Sequence, residues 1–174
     1  QLAVSYSMHE EPIPALREIV KACELQAQKG AFDHDNSYLL GTLVQFYATC
    51  KLYDDDMVAK AKLCLEIEPT YIDVWYFLAQ AYVCRNEFEE AYACYEKYLE
   101  LLEQFEKLPI RYNIAVSLYT LDSAVNAHYN MVSICRAQKQ WSQAHEHIDA
   151  IFKLEAQQDF RKMAYSSMVQ RDFE

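Results

Sequence analysis

The 174-residue sequence predicts an all-α fold built from stacked helix–turn–helix pairs. Two glycines and four prolines in the whole chain are too few for an all-β fold, which needs a turn every few residues. From Trp75 to Leu102, large and small apolar residues recur at helical spacing on either side of a short polar break. Trp75, Leu78, Ala79 and Tyr82 share one side of a first helix. Arg85-Asn86-Glu87 makes the turn, with Phe88 just after it, and Ala91, Tyr95 and Tyr98 share one side of a second helix. Small Ala79 and Ala91 let the two helices approach closely, and the large residues fill the space around them.

In chain order, residues 1–36 are a lead-in and a first helix. Pro12 and Pro14 suit an extended segment or a first helical turn. Leu16, Ile19, Val20 and Cys23 form an apolar stripe that Gly30 ends. Asp33-His34-Asp35 spells D-x-D, a metal-and-nucleotide motif of many glycosyltransferases. Between two helices the acids read instead as turn and cap residues.

Residues 37–69 form a repeat in which Leu40-x2-Leu43-Val44-x2-Tyr47 matches the central pattern and Tyr53 takes the place of Phe88. Tyr47 and Tyr82 are 35 residues apart. Asp54-Asp55-Asp56 would cap the following helix and complement its positive end. Met57, Ala61 and Cys64 line that helix, and Glu68-Pro69 closes it. The central repeat covers 70–102, and its second helix runs on towards Lys107 until Pro109 stops it.

Residues 103–122 break the period and are expected to form an insertion. Two readings stand for Ile110–Asp122: extended backbone laid along the stack, or a short extra helix. The pattern resumes over 123–154. Ser123 would cap a helix, His128, Met131, Val132 and Cys135 take the first-helix positions, and Trp141 takes the turn aromatic position. Ala144, Ile148 and Ile151 take the second-helix positions. Residues 155–174 close the chain as one more helix, with Phe160, Met163, Ala164 and Val169 covering the last repeat.

The order W-x2-L-A-x2-Y, A-x3-Y-x2-Y, with Pro69 closing the previous unit, resembles the tetratricopeptide repeat. The resemblance is specific in the central unit and extends over about 37–154. It implies one domain over 1–174, a right-handed superhelical solenoid of about three repeats with an extra helix at each end.

Composition narrows the function. Sixteen basic against twenty-six acidic side chains give a net charge of −10, which repels phosphate backbones, so nucleic acid is not an expected partner. No apolar run approaches the roughly 20 residues needed to span a bilayer. No basic-then-apolar leader opens the sequence. The six cysteines, Cys23, Cys50, Cys64, Cys84, Cys94 and Cys135, form no C-x-x-C pair and fall within predicted helices. They read as small buried hydrophobes in a reducing compartment, which points to the cytoplasm. A start at Gln1 rather than Met predicts an excised or processed segment, which leaves room for a neighbouring catalytic domain.

No catalytic, cofactor-binding or metal-ligating set is expected. His145 and His147 stand two apart on a helix and point to different sides, whereas a metal pair prefers a spacing of four. Gly-rich phosphate loops, a G-x-S-x-G elbow and nucleophile–base patterns are missing.

The resemblance implies a concave groove lined by first helices that receives a peptide or a partner helix. Its outward positions here are Tyr38, Gln45, Asp73, Tyr76, Gln80, Asn126, Tyr129, Asn130, Ser133 and Arg136. Tyrosine supplies rigid contact area with a polar tip, and Gln and Asn supply adaptable hydrogen bonds. Repeat proteins that grip the C-terminal carboxylate of heat-shock chaperones place Lys and Asn in that groove. Gly41, Gln45, Tyr76 and Gln80 stand at the matching positions, so that role is not expected.

Residues 90–150 are also similar to the tetratricopeptide tails of bacterial chains with an N-terminal family 2 glycosyltransferase domain. The long helix Tyr98–Lys107 and the segment Ser117–Leu121 carry this similarity. It implies an accessory, non-catalytic tail, with the sugar-transferring residues upstream of Gln1. A third reading makes the long helix and the insertion a homodimer contact.

Overall fold

The computed structural model of the chain describes residues 12–30, 32, 37–106 and 114–171, with side chains at 14–30, 32, 37–104 and 123–157. Asp33-His34-Asp35 and residues 107–113 lie outside them, as do the side chains of Phe160, Met163, Ala164 and Val169. Every regular element among the described residues is an α-helix: α1 (Pro12–Lys29), α2 (Ser37–Thr49), α3 (Asp55–Ile67), α4 (Ile72–Cys84), α5 (Phe88–Glu106), α6 (Ile114–Ala137) and α7 (Trp141–Arg171). The chain divides into two compact units, Gln1–Leu101 and Leu102–Glu174.

In the first unit, α1 packs on α2, α2 on α3, α3 on α4, and α2 also on α4. Ala15, Leu16, Ile19 and Cys23 form the buried stripe of α1. The helix ends at Gly30, whose φ of 159° lies outside the range of L side chains and whose N–H reaches the Gln26 carbonyl at 3.1 Å. In α2 the predicted Leu40, Leu43, Val44 and Tyr47 are all buried. Asp54 caps α3 by accepting the Met57 N–H at 2.9 Å, and Asp55 and Asp56 sit in the first turn beside the positive helix end. Met57, Ala61 and Cys64 are fully buried beneath them, with the Cys64 thiol donating to the Ser37 carbonyl at 3.6 Å.

The central pattern packs as its spacing requires. Leu78, Ala79 and Tyr82 of α4 and Ala91, Tyr95 and Tyr98 of α5 are buried. Trp75 is half-buried, and its indole N–H donates to the Pro69 carbonyl at 2.9 Å, fixing α4 to the chain that precedes it.

In the second unit α6 packs against α7. Ala124, Ala127, Met131, Ile134 and Cys135 face Ala144 and Ile151 across a buried seam.

The three hairpin turns share one geometry. Lys51, Asn86 and Lys139 have φ of 55°, 60° and 60°, each placed just after the first helix of its pair. The next N–H reaches back five residues each time: Leu52 to Tyr47 at 2.9 Å, Glu87 to Tyr82 at 2.9 Å, and Gln140 to Cys135 at 2.8 Å. These are Schellman closures, which satisfy carbonyls that the helix end would otherwise leave open.

Some elements differ from the sequence expectation. Residues 114–122 are neither extended nor a separate short helix but the first turns of α6, so Ser123 lies inside a helix and caps nothing. The closing helix is likewise continuous with the second helix of the last pair, as α7. No glycine or proline occurs within 114–137 or 141–171, and β-branched residues cost a helix only tenths of a kcal/mol each, so nothing there stops it. Cys50 sits half-buried in a turn and Cys84 is exposed at the end of α4. The other four cysteines are buried.

Candidate interaction surface

The ten predicted surface residues fall on three first helices, five in each unit. On α2, Tyr38 is 64% exposed and Gln45 is exposed two turns further on. Asp73 lies in the first turn of α4, where desolvation by its surroundings raises the pKa of its carboxyl.

Tyr76 and Gln80 are half-buried and turned towards protein. The Tyr76 ring meets Tyr95 edge-on at 5.7 Å and Tyr98 at 5.2 Å, so it packs against α5. The Gln80 side-chain oxygen accepts from the Tyr53 hydroxyl at 3.4 Å. Gly41, at the position equivalent to Tyr76, is buried: a Cβ there would collide with the tip of the Tyr71 ring. Tyr71, just before α4, therefore closes the α2 counterpart of the Tyr76 site.

On α6, Asn126, Tyr129, Asn130, Ser133 and Arg136 follow helical spacing along one face. Tyr129 is 53% exposed, Asn130 is half-buried, and Asn126, Ser133 and Arg136 are exposed. The Ser133 hydroxyl donates to the Tyr129 carbonyl at 3.1 Å, so it is held to its own helix. Ser133, Arg136, Ala137 and Trp141 line an open cleft of about 380 Å³ at the hairpin turn. Trp141 itself is 60% exposed there.

Several arrangements were not legible in the sequence. Arg85 in the central turn donates to Asp55 and to Glu87, both at 2.6 Å, and so joins the start of α3 to the α4–α5 turn. The Tyr47 hydroxyl donates to Asp56 at 2.6 Å, which, after burial, further holds its proton on. An apolar cleft of about 420 Å³ opens over Trp75, Leu78, Tyr82 and Leu65, with Lys62 5.7 Å above the Tyr82 ring. In the second unit, His128 and His147 meet across the hairpin with their Nδ1 atoms 3.0 Å apart. Burial, and then the neighbouring His147, depress the His128 pKa to about 4, so its ring is neutral at pH 7. Apart from Arg85–Glu87, these contacts join residues from 9 to 30 apart in sequence, and no local motif announces them.

No protein-family model matches the chain, and no curated protein does. Solved structures resemble it. The nearly identical TPR-like repeats of a Podosopora anserina kinesin light chain superpose with a TM-score of 0.52 at 14% identity, covering 90% of this chain and 92% of their own. A MamA structure gives 0.51 at 14% identity, covering 91% and 97%. A second MamA structure gives 0.50 at 16% identity, covering 98% and 88%. At such identities the likeness establishes the fold: all-α, a helical solenoid of tetratricopeptide type.

Proposed function

We propose that this chain is a non-catalytic protein-interaction module whose outward first-helix faces receive a peptide or a partner helix. Tetratricopeptide-type stacking of hairpins supports the reading, together with one observation about the surface. Tyr38 and Tyr129 project large aromatic rings into solvent from the outward faces of α2 and α6. Neither ring contributes to a core, and tyrosine gives contact area at low entropic cost. The net charge of −10 favours a protein partner over nucleic acid. Reducing cytoplasm suits the four buried thiols.

The test is capture of partners from the source cell by the wild-type chain and by a Tyr38→Ala/Tyr129→Ala variant of unchanged circular dichroism. A partner held by the wild type and lost by the variant supports the reading. A partner held equally by both sinks it.

Two further readings rest on the sequence alone. A glycosyltransferase tail requires a strand–helix nucleotide-binding domain with its own D-x-D encoded upstream. A homodimer scaffold requires a dimer by light scattering at micromolar concentration.

A further inference from the structure

We propose that His128 and His147 form a two-histidine chelate for a tetrahedral divalent transition-metal ion of the zinc type, tying α6 to α7. The two Nδ1 atoms stand 3.0 Å apart, with ring centroids at 5.2 Å and planes 40° apart. A tetrahedral ion at about 2.0–2.1 Å from each nitrogen sets those nitrogens about 3.3 Å apart and the ring centroids about 5.2 Å apart. The rings therefore already stand at the chelating separation. Each needs only to pivot in place, opening the nitrogens by about 0.3 Å. Square-planar coordination would instead draw the centroids to about 4.5 Å, which requires the helices to move.

The Nδ1–Nδ1 hydrogen bond suits a ligand pair. Without metal, one Nδ1 donates to the other, and which ring carries the proton is a matter of tautomer. On binding, that proton moves through water to Nε2 of the same ring, leaving two neutral imidazoles with both Nδ1 lone pairs on the ion. Both histidines are only half-buried, so water reaches the site. Among the described residues no group of three histidine, cysteine or carboxylate ligands exists, so water completes the coordination.

Nothing in the local spacing signals this pair, because the ligands lie 19 residues apart on two helices. His145, exposed two residues before His147, is the natural control.

The experiment titrates cobalt(II) into the untagged full chain and reads the intense visible bands of tetrahedral cobalt. Zinc is then added to displace it, and magnesium serves as the negative control. The expected result is a tetrahedral spectrum without a thiolate charge-transfer band, erased by zinc and untouched by magnesium. His128→Gln and His147→Gln should each weaken it about 10-fold or more, since losing even an outer-shell contact costs about that much. His145→Gln should leave it intact.

Imidazole nitrogen NMR of the wild type reads the same site should a variant not fold. Zinc should shift the His128 and His147 signals and leave His145 in place. No tetrahedral spectrum at millimolar cobalt, a thiolate band, a signal kept by both glutamine variants, or a zinc shift confined to His145 would each overturn the proposal.

Discussion

Lys51, Asn86 and Lys139 hold the same left-handed backbone position, and only one of the three suits it. Asparagine tolerates that region, whereas a long side chain there carries a cost of about 1–2 kcal/mol. Glycine would remove the cost but adds freedom to the unfolded chain, which offsets about 0.4–1 kcal/mol. Lys51→Gly and Lys139→Gly should therefore each stabilise by about 0.5–1 kcal/mol, with Asn86→Gly nearer zero. Urea denaturation measures all three, and destabilisation by either lysine change would contradict the shared turn geometry. At two of these positions the sequence gives no sign of the geometry, because Lys51 and Lys139 stand where a flagging glycine would be, whereas Asn86 lies in the predicted Arg85-Asn86-Glu87 turn. Gly41 makes the opposite case. It reads as an ordinary gap in a pattern, yet Tyr71 fills the space its absent side chain leaves. Gly41→Ala should destabilise the wild type by displacing that ring. In a Tyr71→Ala background the same change should stabilise by up to about 1 kcal/mol, the helix propensity of alanine over glycine. A cycle without a change of sign would show that Tyr71 does not occupy the space.

Helices were legible wherever an apolar stripe ran between strong punctuation. α1, α2, α3 and α4 have a glycine, an aspartate cap, a proline or a polar turn at one end or both, and most of the residues the spacing names are buried, Val20 and Trp75 being half-buried. The start of α6 and the end of α7 were not legible, because change of composition is weak punctuation. Residues 114–122 are rich in β-branched and aromatic side chains, but helix continuation overrides so small a local preference. The close pairing of α4 and α5 has a simple test. Ala91 is fully buried, so Ala91→Leu should overpack the seam and cost about 1–3 kcal/mol by chemical denaturation. A neutral outcome would mean that the two helices do not meet there.

At the scale of the whole molecule, the all-α repeat fold was readable in the sequence, and which of the ten proposed surface residues are exposed was not. Exposure separates the predicted residues: Tyr38 and Tyr129 project into water, whereas Tyr76 is engaged with Tyr95 and Tyr98. A first-helix position can thus point outward in the consensus and still turn inward when its neighbours on α5 are aromatic. Tyr38→Ala/Tyr129→Ala should leave the melting temperature unchanged, while Tyr76→Ala should lower it by several degrees, having lost ring contacts of about 0.5–1.5 kcal/mol each. Equal losses in the two variants would remove the distinction.

The decisive measurement is site-specific photo-crosslinking in the source cell, with a benzoylphenylalanine placed in turn at Tyr38, at Tyr129 and at Glu96, an exposed residue of α5. Crosslinks to a discrete protein from Tyr38 or Tyr129, but not from Glu96, are the predicted result. Crosslinks from Glu96 alone, or none from any position, would contradict a partner-binding role for the first-helix faces.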